Sequence, residues 1–200
     1  MANLENYYNF TSKYFIMRIF TAINISPNEE LLSTLGFLEL NLRQDRIRWV
    51  NPNNLHITIN FLGDVDKRKI SQIIDVHKNI FEKQIGFKLR IEDIGLFGSS
   101  YQPKVIWLGI KPAENLRSIV SELESQLKII GFTSDRQNFV PHLTIGRIES
   151  LQNKVLFQKV ISQYKNKLFQ KIFVEKATLY ESILISKGAV HNVIREFKLM

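Results

Sequence analysis

Apolar positions along the chain follow two periods. Met17-Arg18-Ile19-Phe20-Thr21-Ala22-Ile23-Asn24 reads as a buried strand. Ser26 is the expected N-cap and Pro27 the first residue of a helix, with Glu29 and Glu30 in the first turn. Leu31, Leu35, Leu38 and Leu42 then repeat at helical spacing and predict one buried stripe. An extended lead-in, Ile47 to Val50, precedes a strand over 55–62. Ile70, Ile73, Ile74, His77 and Phe81 share one face of a second helix over 67–82, which places His77 in or against the core. Alternation from Phe87 predicts a strand over 87–97, and Lys104 to Ile110 another. Leu116, Val120, Leu123, Leu127 and Ile130 predict a third helix, ended by Gly131. A strand over 142–148, a helix over 151–166, one long strand from Lys171 to Leu184 and a last strand over 191–199 complete the pattern. This order describes two similar halves, each a strand, a helix, an extended lead-in, a strand, a helix and a strand. It predicts an α+β fold built from a duplicated module, with no flexible linker between the halves. Residues 1–16 show no period and read as an N-terminal extension; residues 17–200 read as a single domain.

One strand recurs nearly unchanged. Leu55-His56-Ile57-Thr58-Ile59 returns as Pro141-His142-Leu143-Thr144-Ile145. Strand side chains alternate faces, so His56 and Thr58 project opposite to Leu55, Ile57 and Ile59; the second copy repeats this with His142 and Thr144. Each copy is a strand with one apolar face and, on the other, an imidazole beside a hydroxyl.

Composition narrows the chemistry. The chain has no cysteine, which removes disulfides, thiolate metal sites and cysteine nucleophiles. Lys and Arg number 27 against 19 acids, a formal charge of +8, which favours an anionic partner such as RNA or a nucleotide. No apolar run approaches the ~20 residues of a membrane span. Asn6, Tyr7, Tyr8 and Asn9 interrupt any secretory leader, so the cytoplasm is the expected location.

Two imidazoles facing each other across a cleft suit acid–base catalysis, because histidine titrates near neutrality. Opening a cyclic phosphodiester needs a base for water, an acid for the leaving hydroxyl and donors for the equatorial oxygens. Two histidines and two threonines supply all three without a metal or cofactor. No carboxylate stands at metal-ligand spacing beside either histidine, and no Gly-x-Ser-x-Gly elbow for a serine nucleophile is present.

The paired motifs His56-Ile57-Thr58 and His142-Leu143-Thr144 resemble those of the 2H phosphoesterases. The wider context is similar to the RNA 2′,3′-cyclic phosphodiesterase branch, the LigT-like or 2′-5′ RNA ligase family. That context comprises 17–23, Arg48 to Gly63, Lys104 to Ile110, Pro141 to Arg147 and Leu179-Tyr180-Glu181-Ser182. The resemblance spans 17–200. It implies a bilobal fold with two antiparallel sheets lining a central cleft and helices outside. It also implies metal-independent opening of a 2′,3′-cyclic phosphate to a 2′-phosphate, on RNA or a nucleotide, by a monomer. His56 would be the proton donor and His142 the proton acceptor, although the pseudo-symmetry permits the reverse. Thr58 and Thr144 would hold the phosphate, Arg147 would bind phosphate or RNA backbone, and Phe61 would line the cleft or stack on a base. The family often carries a tyrosine after the late glycine turn; here His191 stands there, and an exposed strand histidine is expected. Two alternatives remain open: a 2′-5′ RNA ligase or 2′-5′ oligoadenylate phosphodiesterase, and an RNA- or nucleotide-binding module without turnover.

Overall fold

In each half, aliphatic side chains recurring with period two pair their strands into sheet, and stripes of period 3.6 cover that sheet with helices. The computed structural model describes residues 15–99, 101–133, 139–186 and 188–200. The expected extension therefore lies outside the described residues apart from Phe15 and Ile16. The strands are β1 (Ile16–Asn24), β2 (Arg46–Trp49), β3 (His56–Asp66), β4 (Phe87–Gly98), β5 (Pro103–Lys111), β6 (His142–Ser150), β7 (Leu168–Val174), β8 (Lys176–Ile185) and β9 (Gly188–Lys198). The helices are α1 (Glu29–Asn41), α2 (Ile70–Phe81), α3 (Glu114–Ile129) and α4 (Lys154–Ser162).

The two expected sheets are halves of one antiparallel sheet, in the order β7-β4-β5-β6-β3-β1-β8-β9, with β2 also paired to β6. One half is β3-β1-β8-β9 and the other β6-β5-β4-β7. They join at a single bridge, Ile57 opposite Leu143. Both residues are fully buried. Each such side chain contributes roughly 1.5–3 kcal/mol by burial, and a slip of one residue would turn the histidines into the core. The bridge therefore fixes both the junction and the face on which the site lies.

The helices exchange halves. α1 follows β1 but packs against β7 and α4, on the other half. α3 follows β5 but packs against β3 and α2, while α2 also touches β8 and β9. This reciprocal exchange merges the apolar residues of both halves into one core, so neither half closes its core alone.

Three sequence expectations are corrected. Asn28, not Ser26, caps α1, because its side-chain oxygen accepts from the Leu31 N–H at 2.8 Å. The helix expected over 151–166 is shorter, since Asn153 caps it and accepts from Leu156 N–H at 3.0 Å. The long strand expected from Lys171 to Leu184 is two strands. β7 pairs with β4 and β8 with β1, so the chain crosses between halves at Glu175. Alternation continues on both sides of such a crossing, which hides the change of partner from a sequence pattern.

Candidate active site

The two His-x-Thr strands are built alike. In β3 and β6 the first six residues carry the same succession of half-buried and buried positions, ending in one exposed residue. Both break their alternation at the same place. Opposite β3, Thr21 pairs with Asn60 and Ala22 with Thr58, leaving Ile59 bulged. Opposite β6, Ile106 pairs with Gly146 and Trp107 with Thr144, leaving Ile145 bulged. Each bulge buries two successive residues and returns the next side chain to the histidine face. Strict alternation would turn Phe61 and Arg147, five residues after their histidines, to the opposite face. The bulges place them on the same face as His56 and His142, in equivalent positions of the two halves.

The bridge at Ile57 and Leu143 sets His56 opposite Thr144 and Thr58 opposite His142. The two histidines are diagonal neighbours, for which a sheet gives a separation of about 7–8 Å between backbones. His56, Thr58, His142 and Thr144 are all half-buried and form one quartet at the junction. The proximity is also electrostatic, since positive charge on His142 and on Arg147 acts on His56.

Each imidazole is held the same way. His56 Nδ1 lies 2.7 Å from the Asn54 carbonyl and His142 Nδ1 2.7 Å from the Val140 carbonyl. A carbonyl only accepts, so both Nδ1 atoms carry the proton and donate. This leaves Nε2 of each ring as the nitrogen that gains or loses a proton. Burial lowers the His56 pKa, the Asn54 carbonyl partly offsets this, and positive charge on His191, Arg147 and His142 lowers it further. His77 is the contrast. It is fully buried under the sheet, with Nδ1 donating to the Ile73 carbonyl at 2.7 Å and Nε2 2.7 Å from the Thr21 hydroxyl. Both nitrogens are engaged, and burial holds its pKa down at about 4. It is a core histidine, as its helical stripe predicts.

Aromatic rings wall the two histidines. Phe20 lies 5.2 Å from His56 between ring centroids, and Tyr180 stacks on Phe20 at 5.3 Å. His191 stands edge-on to His56 at 5.2 Å and to Phe20 at 4.9 Å. This corrects the expectation of an exposed strand histidine: His191 is half-buried at the site. On the other side Phe97 meets His142 edge-on at 4.8 Å and stacks on Trp107 at 5.0 Å. A Cβ on Gly95 would overlap the Trp107 ring, so only glycine lets that indole lie across β4. Sequence reasoning missed this wall because an aromatic in an apolar strand reads equally well as core. Arg147 is exposed, and no carboxylate among the described residues pairs with it. Phe61 is 41% exposed, with the Arg18 guanidinium 5.2 Å from its ring centre. By contrast Glu149 neutralises Arg48 at 2.5 Å and Arg46 at 3.5 Å.

Paired imidazoles, each beside a threonine at the junction of two matching half-sheets, define a two-histidine phosphoesterase. The chain belongs to the LigT-like phosphoesterase family. The model of that family matches twice, over residues 23–107 and 108–191, one match for each half. A relative from Methanocaldococcus jannaschii, an RNA 2′,3′-cyclic phosphodiesterase, is 34% identical over 90% of this chain and 100% of its own length. Another of that name from Aquifex aeolicus is 34% identical over 76% of this chain and 81% of its own. Among solved structures, a Thermus thermophilus protein superposes with a TM-score of 0.76 at 24% identity, covering 92% of this chain and 98% of that one. Escherichia coli LigT complexed with 3′-AMP superposes with a TM-score of 0.73 at 23% identity, covering 92% and 99%.

Proposed function

We propose that this protein is an RNA 2′,3′-cyclic phosphodiesterase that opens the cyclic phosphate to a 2′-phosphate with two histidines. The observation that carries this reading is the diagonal pair of imidazoles, each donating Nδ1–H to a carbonyl, which makes Nε2 the nitrogen that exchanges a proton. Water attacks phosphorus as His142 Nε2 takes its proton. The bond from phosphorus to the 3′ oxygen breaks as His56 Nε2 gives that oxygen a proton. The ester to the 2′ oxygen is retained, and the two histidines end with their protons exchanged. Thr58 and Thr144 donate hydroxyl hydrogen bonds to the non-bridging oxygens, and Arg147 offsets their charge. Phe61 gives a ring on which a base can stack.

Two features of the surroundings support His56 as the acid. The lowered pKa of His56 makes its protonated form a stronger acid than an ordinary imidazolium, and an arriving anionic diester favours that form. Its wall of Phe20, Tyr180 and His191 offers an aromatic surface to the nucleoside that carries the leaving oxygen. One chain supplies both half-sites, so a monomer suffices. A substrate produced by RNA cleavage fits a cytoplasmic enzyme; among the described residues no helix is long and apolar enough to cross a membrane.

The test uses an oligonucleotide ending in a 2′,3′-cyclic phosphate, incubated with protein in EDTA and mapped for product. Conversion to the 2′-phosphate is expected. A 3′-phosphate product would overturn the assignment of the leaving oxygen, and no conversion would overturn the activity. Rates on 2′-5′ oligoadenylate, measured in parallel, are expected to be lower.

A further inference from the structure

His191 differs from the other histidines in what holds it. His56 and His142 anchor Nδ1 on a carbonyl, and His77 uses both nitrogens. Among the described residues neither ring nitrogen of His191 has a hydrogen-bond partner, yet packing fixes the ring. It stands at 71° to Phe20 and 84° to His56. The position has a direction. β9 is three strands from β3 by pairing, yet its start reaches the lead-in to β3, where Asn54 Nδ2 donates to the Ala189 carbonyl at 3.4 Å. The β8–β9 hairpin therefore folds along the His56 side of the site, whereas His142 lies on the neighbouring strand across the junction. The order across the site is His191, His56, His142.

In the reaction proposed above, on which this inference rests, the leaving oxygen and its ribose lie on the His56 side. We infer that His191 is a specificity-determining residue whose free ring nitrogens hydrogen-bond the terminal nucleoside, at its ribose or its base edge. The groups facing it are Tyr180 and Phe20 on the same half-sheet and the His56 imidazole; Arg147 lies beyond His56 on β6. Burial lowers the His191 pKa and so favours its neutral form. A neutral imidazole offers one donor and one acceptor, which matches a nucleoside hydroxyl or base edge better than a second phosphate. The phosphate itself is served by the quartet, so His191 governs what is attached to it.

The experiment compares kcat/KM for a nucleoside 2′,3′-cyclic phosphate with kcat/KM for glycerol 1,2-cyclic phosphate, which has the ring diester and no nucleoside. His191→Phe keeps a ring against Phe20 and His56 but removes both nitrogens. The ratio of the two constants is expected to fall about tenfold, the scale of one or two neutral hydrogen bonds. His191→Gln, which restores a donor and an acceptor, is expected to recover part of that ratio. An unchanged ratio in His191→Phe would overturn the inference, whether both rates fall together or neither moves. Wild-type protein inactive on both diesters would instead overturn the proposed activity.

Discussion

His56 and His142 stand on strands with the same burial pattern, the same bulge and the same carbonyl two residues back. Their neighbours differ. Around His56 are Phe20, Tyr180 and a third imidazole, His191; around His142 are Phe97 and a tryptophan laid across Gly95. The position five residues on is an aromatic ring, Phe61, in one half and a cation, Arg147, in the other. A duplicated frame yields two imidazoles held alike but set in unlike surroundings, and burial with nearby positive charge lowers the pKa of His56. In the mechanism proposed above, what surrounds the motif, and not the motif itself, distinguishes acid from base.

The largest effects are expected at the histidines. His56→Ala and His142→Ala are each expected to lower kcat by at least ~10², the lower range for a general acid or base. Steady-state kinetics on a cyclic-ended oligonucleotide measures this, and full activity in either variant removes that residue from the mechanism. Thr58→Val and Thr144→Val keep shape and lose a donor, with an expected loss in kcat/KM of about tenfold each. A loss confined to one threonine would show that the phosphate is held by one half only.

A smaller effect tests the lowered proton affinity of His56. The descending limb of kcat/KM reports the donor in the free enzyme. The lowered His56 pKa places that limb below 6.5, the ordinary value for histidine. With anionic substrate bound His56 holds its proton more tightly, so the limb of kcat lies at higher pH. Arg147→Gln removes a positive charge and is expected to move the kcat/KM limb upward by less than about one pH unit. A limb above that of free histidine in the wild type would contradict His56 as donor.

The smallest effect on turnover belongs to His77. Replacing both hydrogen-bonded partners, Thr21→Val with His77→Leu, is expected to keep kcat within about twofold, since a matched apolar pair offsets the lost bond. Stability is where His77 acts. Its pKa is about 4 in the folded protein against 6.5 unfolded, so below 6.5 the unfolded chain binds the extra proton. Folding stability therefore falls as pH drops from 6.5 to 4, by about 3 kcal/mol from this group. Urea unfolding across that window is expected to show the slope in the wild type and to lose this contribution in the double variant.

Much of the site was legible because its signal is local. Period-two alternation alone places His56 with Thr58 and His142 with Thr144, and helical spacing alone assigns His77 to the core. Phe61 and Arg147 could not be placed that way. Their odd spacing points away from the histidines until a bulge at Ile59 and Ile145 turns them back, and a bulge exists only relative to a partner strand. His191 was equally hidden, because most of the chain separates it from His56 and the packing of one hairpin joins them.

The repeat, the alternation of faces and hence an imidazole and a hydroxyl on each of two strands are properties of the local sequence. These depend on dihedral preferences and side-chain polarity within a few residues. Tertiary structure decided which strands meet, that one bridge joins the halves, that the helices cross between them and that the chain changes halves at Glu175. These depend on which distant apolar faces bury each other after the loops have closed, a free energy that no short window of sequence contains.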